Sequence, residues 1–130
     1  MIVVDTAALI EYFTSAADDA MRLRDRITGV PLAAPHGLDL EVISGLRGLV
    51  LGGKVSPEDG RRALLLMEQL DLRRYDIAPL TDRIWQLRDN MWPYDAAFVA
   101  LAEVLDVPLV TVDAKFARTP GLRCQVEVVA

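Results

Sequence analysis

Apolar positions change period several times along the chain, and each change marks an expected element. Ile2, Val3 and Val4 form an unbroken apolar run ending at Asp5 and Thr6, the pattern of a strand buried on both faces. Ala7, Ala8, Leu9, Ile10, Tyr12 and Phe13 then predict a helix. A second helix is expected over Ala16 to Thr28, with Ala16, Ala20, Leu23 and Ile27 on one face and Arg22, Arg24, Asp25 and Arg26 mostly on a solvated one, stopped by Gly29. Val30 to Ala34 predicts a short strand. Pro35 leads into a helix from about Gly37 to Leu51, where Leu38, Val42, Leu46 and Leu49 keep helical spacing until Gly52 and Gly53.

Ser56, Pro57, Glu58 and Asp59 combine a cap, a first-turn proline and acids at the positive end of a helix dipole, and Leu64, Met67 and Leu70 continue that helix. Arg73 to Ile77 predicts a strand. Thr81 opens a helix through Ile84, Leu87 and Arg88, closed by Met91, Trp92 and Pro93. From Asp95, the residues Phe98, Val99, Leu101, Ala102 and Leu105 recur at helical spacing, and Pro108 separates them from Leu109, Val110, Thr111 and Val112, a buried strand ending at Asp113. Ala114 to Arg118 allows one helical turn, Thr119 to Gly121 a reverse turn, and Cys124 to Val129 an alternating strand suited to a sheet edge. Strands alternating with helices predict an α/β fold with a mostly parallel sheet of about five strands and helices on both faces. A chain of 130 residues fits one domain, spanning residues 1–130.

Composition narrows the classes. Although 52% of residues are hydrophobic, no run approaches the roughly 18 apolar residues that cross a bilayer, and Asp5 interrupts the N-terminus too early for a signal peptide. The expectation is a soluble, cytoplasmic protein with no membrane partner. The lone Cys124 cannot form an internal disulfide and is expected to be a small buried hydrophobe. A net charge of −5 argues against a basic surface that coats nucleic acid. Were four acids gathered around cations, however, the remaining charges would nearly balance, and twelve of the fourteen bases are arginine, suited to bidentate phosphate contacts.

The candidate chemistry lies in those acids. Asp5 and Asp113 end strands; Glu41 and Asp95 begin helices. If helices run antiparallel to the strands they follow, all four reach the carboxyl edge, where open α/β sheets place their ligands. Simpler roles exist for each, since Asp5 or Thr6 can cap a helix and acids near a helix start, such as Asp39 and Glu41, are favoured by its dipole. Gathered and unpaired, such charges repel by roughly 4 kcal/mol per close pair at an effective dielectric near 20, so the cluster calls for a cation. All-oxygen donors select Mg²⁺ or Mn²⁺, which suits phosphodiester hydrolysis without a histidine base or a covalent nucleophile. Thr111, on the same strand face as Asp113, could orient a carboxylate or be a plain β-branched strand residue. His36 lacks companions for a zinc site and is expected in a turn. Trp92 and Tyr94 are expected in the core, with base stacking as the second reading. Neither a GxGxxG nor a P-loop pattern occurs.

Four motifs in order, Ile2 to Ala7, Leu40-Glu41-Val42, Tyr94-Asp95-Ala96 and Leu109 to Asp113, give the chain a resemblance to the PIN-domain family, in particular to the VapC toxins of bacterial toxin-antitoxin pairs. The resemblance covers nearly the whole chain. It implies a three-layer α/β/α fold and an endoribonuclease dependent on Mg²⁺ or Mn²⁺ that cuts structured RNA such as tRNA or rRNA. It also implies a homodimer, held inactive by a VapB antitoxin whose C-terminal segment occupies the active-site groove. By position, Asp5, Glu41, Asp95 and Asp113 match the acidic quartet, with Thr6 and Thr111 as supporting candidates. Beside that match, Lys115 or Arg118 could contact RNA phosphate and Trp92 could stack on a nucleobase, although exposed basic side chains near a site are often only solvated. Some PIN nucleases carry a further acid after the last motif; Ala114 and Lys115 stand there instead, which leaves a second metal unsupported. Two alternatives belong to other classes. One is a PIN-like binding module without catalysis; the other is a phosphoaspartate receiver or phosphatase, against which Asp5-Thr6-Ala7 lacks an Asp-Asp or Asp-x-Asp pattern.

Overall fold

The computed structural model describes residues 1–16, 18 and 20–129. Its centre is β1 (Ile2–Val4), where Val3 and Val4 are fully buried, as the unbroken apolar run requires. β1 pairs with β2 (Leu32–Pro35) on one side and β4 (Leu109–Thr111) on the other, with Val3 opposite both Ala33 and Leu109. β3 (Leu72–Tyr75) lies outside β2 and β5 (Val126–Val128) outside β4. The order is β3-β2-β1-β4-β5, and all four pairings are parallel. The chain winds one way through β1, β2 and β3, then returns to β4 and β5 on the far side of β1. The gap between β1 and β4 is therefore the point where strand order reverses, and in such sheets a crevice opens there at the carboxyl ends.

Four helices link the first three strands and pack mainly on one another: α1 (Thr6–Thr14), α2 (Met21–Ile27), α3 (Leu38–Leu51) and α4 (Pro57–Glu68). A 3-10 turn (Ala78–Leu80) and α5 (Thr81–Gln86) lead to α6 (Pro93–Leu105), which packs on β1, β2 and β4. α7 (Lys115–Arg118) packs beside β5. Every residue of α6 from Ala96 to Ala102 is buried, which a one-sided helix could not achieve. Phe98 alone, 1% exposed, contributes roughly 1.5–3 kcal/mol by leaving water.

Several boundaries differ from expectation. The second helix begins at Met21, not Ala16, and has no side-chain cap; Ala17 and Asp19 of the expected span lie outside the described residues. Pro93 opens α6 instead of closing the previous helix, because its fixed φ and missing N–H suit a first turn. Asp95 therefore lies within the first turn of α6. β5 is shorter than the alternation from Cys124 suggests, and Cys124 is half-buried, not buried.

Candidate active site

Asp5 is both the cap of α1 and the end of β1. Its Oδ1 accepts a hydrogen bond from the Ala8 backbone N–H at 2.9 Å, and its Oδ2 accepts one from the Thr111 hydroxyl at 2.6 Å. The side chain is buried, and desolvation raises its pKa from 3.8 to about 6. The two hydrogen bonds oppose that rise; the charges of Asp95 and Asp113 add to it. Thr111 is fully buried and also accepts from the Asp113 backbone N–H at 3.0 Å, so one hydroxyl ties the ends of β1 and β4 together. Asp113 Oδ1 in turn accepts from the Lys115 N–H at 3.0 Å.

Glu41 stands in the first turn of α3, half-buried. Burial foremost, then the charges of Asp95 and Asp5, push its carboxyl above the usual range, while the nearby Thr6 hydroxyl offsets part of the rise. That hydroxyl meets no hydrogen-bond geometry: among the described residues, Thr6 Oγ1 is a buried oxygen without a partner. Asp95 enters from α6, and the Lys115 ammonium sits 3.3 Å from its Oδ2 and 3.5 Å from Asp113 Oδ2.

Asp5, Glu41, Asp95 and Asp113 all line one cavity of about 620 Å³, together with Thr6, Trp92, Tyr94 and Lys115. Thr111 lies beneath it, bonded to Asp5. Arg118 is exposed at the end of α7 and does not border the cavity. Trp92 and Tyr94 are not core residues: they are 75% and 69% exposed at its mouth, because Trp92 precedes α6 and Tyr94 lies on the solvent side of its first turn. Ser44 and Gly45 also line the cavity. They were not singled out from the sequence, although three- and four-residue spacing from Glu41 puts them on its helix face. An apolar groove of about 380 Å³ adjoins the site, sharing Glu41 and Tyr94 and bordered by Leu40, Ile77, Ile84 and Pro93.

The donors available to a metal are carboxylate and hydroxyl oxygens, the set that hard divalent ions prefer. Among the described residues no three acids, histidines or cysteines are drawn to coordinating spacing, so the carboxylates line the cavity without closing a shell. Mg²⁺ keeps several waters and takes few protein ligands, so it does not need a closed protein shell. The unpartnered Thr6 hydroxyl and the carboxyls of Asp5 and Glu41, both raised chiefly by burial, fit a bound cation too. Asp5, Glu41, Asp95 and Asp113 would hold the ion.

Comparison with known proteins shows the family. The family model described as PIN domain matches residues 2–122. Ribonuclease VapC1 of Mycobacterium tuberculosis is 42% identical over 128 residues, covering 98% of this chain and 96% of that protein. Ribonuclease VapC9 of the same organism is 40% identical over 129 residues, covering 99% and 98%. Among solved structures, a toxin-antitoxin complex from Klebsiella pneumoniae shares the fold, with a TM-score of 0.69 at 19% identity over 98% of this chain and 97% of that one. The chain belongs to the PIN-domain family, in its VapC branch.

Proposed function

We propose that this chain is a Mg²⁺- or Mn²⁺-dependent endoribonuclease toxin that cuts structured RNA such as tRNA or rRNA and is neutralised by a VapB-type antitoxin. The observation that carries the reading is the convergence of Asp5, Glu41, Asp95 and Asp113 on one cavity at the reversal point of the sheet. The ribonuclease names of VapC1 and VapC9 support the activity, and the Klebsiella complex supports the partner. The apolar groove beside the acids is where an antitoxin segment would lie while it blocks the site. A homodimer belongs to the same proposal. Among the described residues no helix is long and apolar enough to cross a membrane, and a cytoplasmic setting belongs to the same proposal.

A divalent ion, which Asp5, Glu41, Asp95 and Asp113 would hold, would supply Lewis-acid activation of water and charge compensation for the phosphate. The chain's own residues provide orientation. Thr111 and the Ala8 N–H fix the plane of the Asp5 carboxyl, so its remaining lone pairs face the cavity in one arrangement. The bond from the Asp113 N–H to Thr111 sets where Asp113 leaves β4. Trp92 and Tyr94 offer faces on which unpaired bases can stack, at roughly 1–3 kcal/mol per base. Lys115 lines the cavity, which supports it as a phosphate contact; Arg118, outside the cavity, could serve only along a longer RNA path.

The test is cleavage of RNA by the purified chain in EDTA, then with Mg²⁺ or Mn²⁺ restored. Cutting is expected only with the ion, and Asp95→Asn abolishes it. Equal cutting by that variant, or cutting in EDTA, contradicts the assignment. Metal binding without cutting would favour the silent binding module.

A further inference from the structure

The Lys115 ammonium is shared between Asp95 Oδ2 and Asp113 Oδ2, at 3.3 and 3.5 Å, inside the acidic cavity. Its backbone is held by the same group, since Lys115 N–H donates to Asp113 Oδ1 at 3.0 Å where α7 begins. A lysine ammonium carries its full charge near neutrality. Exposed ion pairs contribute little to stability, and Lys115 is 55% exposed, so holding the fold together does not account for this position. Its consequence is for cations: carboxylate lone pairs that accept from an ammonium are withdrawn from a metal.

We infer that Lys115 is a built-in monovalent cation standing in for a second divalent ion, so that the acidic cavity recruits one metal and not two. This rests on the divalent-ion reading of the cavity. Four ionised carboxylates, one ammonium and one divalent ion leave a single negative charge; a second divalent ion would turn the cavity positive while the ammonium stayed. With an uncharged residue at position 115, two divalent ions would balance the four carboxylates. Unlike a metal, the ammonium cannot act as a Lewis acid, and its flexible stem lets it follow a moving charge. It therefore compensates charge without adding a second centre for activating water.

Mn²⁺ titration of the RNA-free chain, followed by calorimetry and by the resonance of free Mn²⁺, tests this. Wild type and Lys115→Arg should bind one ion per chain; Lys115→Met should bind two. A single ion in Lys115→Met, or two in wild type, overturns the inference. Asp5→Asn keeps the two claims separate: if wild type binds one ion and Asp5→Asn binds none, the metal site stands whatever Lys115→Met shows. No binding by wild type together with none by Lys115→Met would overturn both. A folded-state melting curve for each variant confirms that the counts refer to native protein, and a purely structural Lys115 would shift that curve without changing the count.

Discussion

Each oxygen of Asp5 accepts one hydrogen bond, and a carboxylate oxygen can accept two, so capping α1 and serving the cavity are compatible roles. The cost lies in burying the charge. Because the folded-state pKa is raised from 3.8 to about 6, Asp5 contributes most to stability below pH 3.8, and that contribution is lost as pH rises through 6. By pH 7.5 the metal-free chain carries a penalty of about 3 kcal/mol, from two pKa units at 1.36 kcal/mol each. Asp5→Asn should therefore match wild type in urea unfolding with EDTA near pH 4 and exceed it increasingly toward pH 7.5. A gap that stays constant with pH would mean that Asp5 is not the buried charge it is taken to be. At this scale the sequence located the acids, because each falls where a strand ends or a helix begins. It did not reveal that Lys115 reaches Asp95, since that contact joins α7 to α6 across the cavity and leaves no local pattern. Trp92 and Tyr94 were misplaced for a related reason: side-chain size favours burial on average, and only the path of the chain around Pro93 puts them at the mouth.

The spacing of α1 and α3 decides how far Glu41 stands from Asp5. At Gly45, one turn beyond Glu41, the two helices are in contact: a Cβ there would meet the tip of Ile10 on α1. Ile10 can swing, so Gly45→Ala should be nearly neutral, the clash offset by the better helix propensity of alanine. Gly45→Leu cannot be absorbed and should cost about 2 kcal/mol while weakening RNA cleavage, and adding Ile10→Ala should restore much of both. Chemical unfolding and cleavage rates of the single and double variants read this; no recovery in the double variant would place the close approach elsewhere. The central strands β1, β2 and β4 were legible because buried parallel strands lack polar interruptions, and the major helices because their apolar residues recur every three to four positions. Boundaries were less so. Pro93 signals a helix end and a helix start equally well, and the opening of α2 carries no capping side chain.

For the whole molecule, the reversal of strand order between β1 and β4 gives the acids their common address. Asp5 leaves β1 and Asp113 follows β4 on either side of that gap, while α3 and α6 bring Glu41 and Asp95 to its rim. The net charge of −5 is partly this concentration of acid, and elsewhere arginines answer acids locally, as Arg74 does Asp39 and Arg83 does Glu103. A fold that places four carboxylates around one cavity is held back by their repulsion until a cation relieves it. The most direct measurement is the thermal midpoint of the free chain at pH 7.5 with and without Mg²⁺. An ion at a hundred times its dissociation constant stabilises by about 2.7 kcal/mol, which raises the midpoint by several degrees, and Asp5→Asn should blunt that response. A wild-type midpoint indifferent to Mg²⁺ would contradict the account.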